Sequence, residues 1–124
     1  MNLFDVEGER RFGEELGAKL WGGTVYELAP GTRLAEYHWH FGEEEWLLVL
    51  AGSPTLRTPE GERVLEPWDV AVFVTGEAGA HEVRNDGGVA ARFPRARLLV
   101  VSQAGHTAHL DQPDTFVSEV KKLT

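Results

Sequence analysis

Cysteine is absent from all 124 residues, which excludes disulfides, thiolate nucleophiles and zinc sites of the cysteine type. Any metal must be held by nitrogen and oxygen. Basic residues are few: 12 Lys and Arg stand against 20 Asp and Glu, a net charge of −8. A phosphate backbone needs a basic face, so this balance argues against nucleic acid, and no nucleic-acid partner is expected. No apolar run approaches the roughly 20 residues of a membrane span. The start, Met1-Asn2-Leu3-Phe4-Asp5-Val6-Glu7, has neither the basic opening nor the apolar stretch of a secretion signal. We therefore expect a cytoplasmic protein with no membrane partner. The length allows one domain with one core.

What is present is a succession of short strands punctuated by Gly and Pro. In residues 1–20, Phe12, Leu16 and Leu20 recur every four positions and permit a short helix, but Gly8, Gly13 and Gly17 oppose it. Residues 1–23 are expected to form an arm packing on the outside of a barrel made by residues 24–120. Strands are expected at 25–28, 34–40, 45–51, 55–58, 63–65, 70–74, 81–85, 90–93 and 98–102. Pro30-Gly31, Gly52-Ser53-Pro54, Pro59-Glu60-Gly61-Glu62 and Asn85-Asp86-Gly87-Gly88 supply the turns. Residues 105–114 read as a polar loop, and 116–120 as a last strand or a helical turn. Such spacing predicts an all-β antiparallel sandwich or barrel.

The strand at 45–51 is apolar on both faces: Leu47, Val49 and Ala51 share the side of Glu45, and Trp46, Leu48 and Leu50 lie opposite. An antiparallel sheet with one wet face would alternate to polar. Both faces must be covered, one by the barrel interior, the other by the N-terminal arm or by the second chain of a homodimer.

The chemistry is concentrated between Gly31 and Gly52. His38 and His40 lie two apart and, on a strand, point the same way, with Trp39 opposite. Glu43, Glu44 and Glu45 follow. Two imidazoles and a nearby carboxylate are donors suited to first-row divalent metals. The stretch resembles the first motif of the cupin superfamily: a glycine, His-x-His, a glutamate and a second glycine, here Gly31, His38, His40, Glu45 and Gly52. Six residues separate Gly31 from His38, one more than the common spacing. Glu45 matches the motif on both sides, with Glu44 as the weaker alternative. His81 to Asn85, preceded by Gly76 and Gly79, resembles the second motif, which brings one more histidine and ends in asparagine. Two positions depart from that motif: Trp68 stands where a glycine is usual before Asp69, and Val74 where a proline is usual. Both are turn or strand-end positions.

The resemblance covers about residues 31–102. It implies a single-domain double-stranded β-helix, the jelly-roll or cupin barrel. Near its mouth His38, His40, Glu45 and His81 would hold one divalent metal: iron, manganese, nickel, cobalt or zinc. Such a centre can polarise a carbonyl, activate water or bind dioxygen, according to the metal. The expected function is to act on, or sense, a small oxygen-rich molecule in the barrel. The alternative is a non-catalytic small-molecule-binding barrel whose metal is structural or absent. Whether the protein is an enzyme stays open.

Other residues carry plainer readings. Glu43 and Glu44 read as a solvated loop edge. Glu36 shares the parity of His38 and His40, so it is either an inward general base or metal-site support, or exposed because the strand starts late. His106 and His109 read as exposed histidines of a polar loop. The four tryptophans read as core or interface residues. Asn85 reads as a turn-fixing residue. Arg57, Arg92 and Arg97 would either meet an anionic ligand or sit on solvated strand faces.

Overall fold

The computed structural model describes residues 1–86, 95–103 and 121–122. In chain order the strands are β1 (Arg10–Phe12), β2 (Gly22–Leu28), β3 (Thr32–Arg33), β4 (His38–Trp39), β5 (Glu45–Ala51), β6 (Thr55–Thr58), β7 (Gly61–Val64), β8 (Val70–Phe73), β9 (Glu82–Asn85), β10 (Ala96–Ser102) and β11 (Lys121–Lys122). They form a five-stranded sheet in the order β1-β2-β10-β5-β8, a four-stranded sheet in the order β3-β9-β6-β7, and a short β11-β4 ladder. Every pairing is antiparallel. Chain neighbours are repeatedly placed in opposite sheets, which is the winding of a double-stranded β-helix.

The core lies between the two larger sheets because each strand turns alternate side chains inward. Leu28, Leu47, Val49, Phe73, Ala96 and Leu98 from the first sheet meet Leu56 and Val83 from the second. Leu47, Val49 and Leu98 are entirely shielded from solvent, each contributing about 2 kcal/mol by burial. A second cluster, Tyr37, Trp39 and Ala80, lies on the far side of the histidine segment. Arg84 on β9 forks onto Glu62 of β7 with both terminal nitrogens at 2.8 Å, tying the rim of the second sheet across β6.

Several expectations from the sequence are corrected. Residues 34–40 do not form one strand. The chain bends from Leu34 to Tyr37, and strand pairing begins at His38. The N-terminal residues form no α-helix; the glycines leave short 3-10 turns at Leu3–Asp5 and Glu14–Leu16. Between them β1 pairs with β2, which itself starts at Gly22 rather than near residue 24. Alternation along β5 ends early: Leu98 pairs with Val49 but Arg97 pairs with Ala51, so Leu50 is an extra residue in a bulge. Ala51 therefore does not continue the side of Glu45. The strand expectations at 90–93 and 116–120 lie outside the described residues, as do His106, His109 and Arg92.

The turn before β8 shows what the Trp68 departure costs. The Asp69 amide donates to the Glu66 carbonyl at 3.0 Å, with Pro67 and Trp68 as the central residues. Trp68 has φ +74°, the only positive value among the described non-glycine residues. This is the geometry of a type II turn, whose third position favours glycine. An L-residue there carries roughly 1–2 kcal/mol of strain.

Candidate metal centre

Two distant stretches of chain are stitched together at this site. The His38 and His81 amides each donate to the other's carbonyl, at 3.2 and 2.9 Å, and the Gly76 amide donates to the His40 carbonyl at 2.7 Å. Gly79 allows this closure, since a Cβ there would overlap the Val74 carbonyl oxygen. Glu45 opens β5 and points inward beside Leu47 and Val49.

The four residues singled out in the sequence converge. His81 Nε2 lies 3.2 Å and His40 Nε2 3.5 Å from the same Glu45 oxygen, Oε1. Donor atoms of His38, His40 and Glu45 all lie within 4.8 Å of one another. His81 stands on the wider side: its ring centroid is 4.7 Å from that of His38 and 6.4 Å from that of His40. Adjacent donors at about 2.1 Å from an octahedral ion lie about 3.0 Å apart, so these separations match a metal-sized gap.

Ring orientation supports the same reading. His38 Nδ1 lies 2.5 Å from the Glu36 carbonyl, and His81 Nδ1 lies 2.8 Å from the Gly79 carbonyl. A carbonyl only accepts, so in both contacts the ring must donate Nδ1–H, and a neutral ring then carries its lone pair on Nε2. His81 is further fixed by Phe73, whose ring stacks on it at 3.7 Å and 10°. Phe73 faces Glu45 directly across the β5–β8 pair. Burial lowers the pKa of His38, opposed by the Glu36 hydrogen bond, so the ring is neutral at pH 7, the form that ligates. Burial alone would raise the pKa of Glu45. The His81 ring, whose Nε2 lies 3.2 Å away, and the other two imidazoles outweigh it and keep the carboxylate ionised. Donor types, spacing and tautomers thus fit a divalent ion.

A cavity of about 230 Å³ opens beside this cluster. Glu45, His40 and Glu43 line it, together with Thr24, Tyr26, Val100 and Ser102 from β2 and β10 and with Glu9 and Arg11 from the N-terminal segment. Burial, reinforced by Glu9, raises the pKa of Tyr26.

Sequence reasoning misplaced Glu43. It is not a solvated loop edge: it is 7% exposed, and its Oε1 lies 3.9 Å from His40 Nδ1. Glu44 is exposed, as expected. Glu36 is half-buried in the bend before β4, and its carbonyl accepts from His38 Nδ1–H. Asn85 is buried and donates its amide to the Leu28 carbonyl at 2.9 Å, while its own carbonyl accepts from Gly31, so it pins the turn. Arg57 lies over the Tyr37 ring at 4.3 Å, and Arg97 is bound to Glu27 and to the Phe4 carbonyl. Thr24, Tyr26, Val100 and Ser102 share the inward parity of Leu28 and Leu98, a signal visible in the sequence. The reach of Glu9 and Arg11 to the pocket had none.

A two-sheet antiparallel barrel with three histidines and a glutamate gathered inside it defines a protein class. The chain belongs to the Cupin domain family, which matches residues 24–102. No curated protein matches the chain closely enough to count as a relative. Among solved structures, the chain is similar to a sugar phosphate isomerase of the cupin superfamily from Silicibacter pomeroyi, with 27% identity and a TM-score of 0.68. It is also similar to a protein provisionally named a sugar phosphate isomerase from Acidithiobacillus ferrooxidans, with 30% identity and a TM-score of 0.66. Each match covers 77% of this chain and 57% of the other, so the chain spans little more than half of either. A Cupin 2 conserved barrel domain protein from Salinispora arenicola shares the fold at 18% identity, with a TM-score of 0.63, over 89% of this chain and 82% of its own. No helix among the described residues is long and apolar enough to cross a membrane.

Proposed function

We propose that the protein binds one divalent metal through His38, His40, Glu45 and His81 and uses it on a small oxygen-rich molecule in the adjoining cavity, as an enzyme or as a sensor. The observation that carries this reading is the pair of fixed tautomers. His38 and His81 both have Nδ1 tied to main-chain carbonyls, so the neutral rings carry their lone pairs on Nε2, and His81 Nε2 lies 3.2 Å from an ionised Glu45. A divalent ion there would act as a Lewis acid toward a ligand oxygen. The chain's own groups would orient that ligand: Thr24, Tyr26 and Ser102 offer hydroxyls, and Arg11 is the one cation among the described lining residues. A polyol or sugar derivative suits this lining, and the two isomerase neighbours are consistent with that class.

The test is elemental analysis of purified wild type beside His81→Ala. About one ion per chain in the wild type and a large loss in the variant are expected, since a ligand has been removed. A wild type that stays metal-free after reconstitution with each candidate ion overturns the reading in favour of a metal-independent binding barrel. Sugar phosphates and free sugars, assayed for turnover and for heat of binding, then separate catalysis from sensing.

We further propose that the chain forms a homodimer through the outer face of the five-stranded sheet. An apolar groove of about 390 Å³ lies there, lined by Trp21, Trp46, Leu48, Val70, Leu99 and Val101. Trp46 and Val70 are 46% and 57% exposed. A contiguous apolar patch of this kind marks an interaction surface.

A further inference from the structure

The histidines of the cluster are held in two different ways. His38 and His81 each give Nδ1–H to the carbonyl of the residue two before. His40 Nδ1 faces a side chain instead, the Glu43 carboxylate at 3.9 Å. Both partners are deeply buried, His40 at 8% and Glu43 at 7% side-chain exposure. The loop that places them inverts the usual preference: Phe41 is 53% exposed while Glu43, two residues on, is turned inward. Burying a carboxylate and exposing a phenyl ring both cost free energy. Such an arrangement needs a compensating role for the carboxylate.

We propose that Glu43 is a positioning residue for His40. Its carboxylate accepts from Nδ1–H, directly or through one water across the present gap, and so leaves the Nε2 lone pair facing the gap beside Glu45 where the ion would sit. This inference rests on the metal reading above. With it, all three imidazoles share one logic: an acceptor on Nδ1, a lone pair on Nε2. The acceptor on His40 differs in carrying a full negative charge, which raises the basicity of the ring as a ligand. Glu45 is then a direct ligand of the ion and Glu43 an indirect support, and the two carboxylates face opposite nitrogens of the same ring.

The test compares Glu43→Gln and Glu43→Ala with Glu44→Gln, an exposed neighbour. Zn(II) and Mn(II) affinities are measured by competition with a chromophoric chelator. Glu43→Ala should weaken binding by about 10–100-fold. Glu43→Gln, which is isosteric and keeps an accepting oxygen, should weaken it less, and Glu44→Gln should match the wild type. Long-range ¹⁵N–¹H spectra of the metal-free proteins provide an independent readout. His40 should be the Nδ1–H tautomer in the wild type and a mixture in Glu43→Ala, a change that a merely structural role for Glu43 would not produce. Equal affinities together with an unchanged His40 tautomer overturn the proposal. Should the wild type bind no metal, the metal reading fails by itself, and the tautomer comparison still decides whether Glu43 orients the ring.

Discussion

The two faces of β5 have the same strand geometry and opposite surroundings. Inward, Glu45, Leu47 and Val49 meet imidazoles at one end and a closed apolar core at the other. Outward, Trp46 and Leu48 border an open apolar groove with Val70, Leu99 and Val101. The polar group is thus the sheltered one and the tryptophan the exposed one. Neither placement follows from hydrophobicity. Glu45 is tolerated inside because three imidazoles surround it, whereas Trp46 stays 46% exposed, with its Nε1–H donated to Glu44 at 3.3 Å. The N-terminal segment does cover part of the outer face: Val25 on β2 is fully buried beside β1, and Arg97 reaches the Phe4 carbonyl at 2.6 Å. That cover stops short of β5 and β8. The proposed dimer would use the outer face there, and the proposed metal chemistry the inner one.

The sharpest way to break this comparison is to truncate one residue on each face. Leu47→Ala should cost about 3 kcal/mol in urea unfolding, because it leaves a cavity in a close-packed core. Trp46→Ala should cost far less in a monomeric state at low protein concentration. Comparable losses would mean that the outer face is covered as fully as the inner one. Next in size is the effect on association. Sedimentation velocity should show a dimer for the wild type and at least an about 10-fold weaker one for Trp46→Glu, which would bury an unpaired charge. A wild type that sediments as a monomer at all concentrations refutes the dimer.

A pH series sharpens the inward side. Burial holds His38 below its unfolded pKa of 6.5. As pH falls below 6.5, the unfolded chain takes up the proton first, so this contribution to stability is complete above that value. It is lost progressively down to the folded pKa. The melting temperature of metal-free protein should therefore fall more steeply from pH 7.5 to 5 in the wild type than in His38→Asn. Parallel slopes would show that His38 is not held neutral. The smallest effect concerns the turn entering β8. Trp68→Gly relieves the left-handed strain but loosens the unfolded chain, for a net gain below about 1 kcal/mol. A loss instead would show that the Trp68 ring makes contacts worth more than its backbone strain.

Legibility varied with the kind of signal. Leu47 and Val49 were readable as sharing the side of Glu45 because strand alternation needs only a period of two. The candidate ligand set was proposed from its motif, whose residue types and spacings are local in each half. Glu43 was misread because a run of three glutamates offers no clue to which one the loop turns inward. Phe73 escaped because its stacking on His81 depends on β8 lying beside β5, a pairing between residues 28 positions apart. Ala51 was assigned to the wrong side because a bulge at Leu50 leaves no composition signal.

By itself the sequence determined the donor types, the exclusion of sulfur ligation, the strand period and the points where the chain could turn. These are properties of single residues and near neighbours. The tertiary structure alone decided which histidine faces which acceptor, that His38 and His81 exchange main-chain hydrogen bonds, and that Glu43 joins Glu45 beside His40 while Glu44 stays exposed. Those depend on register between distant strands, and register is set by the packing of the whole core.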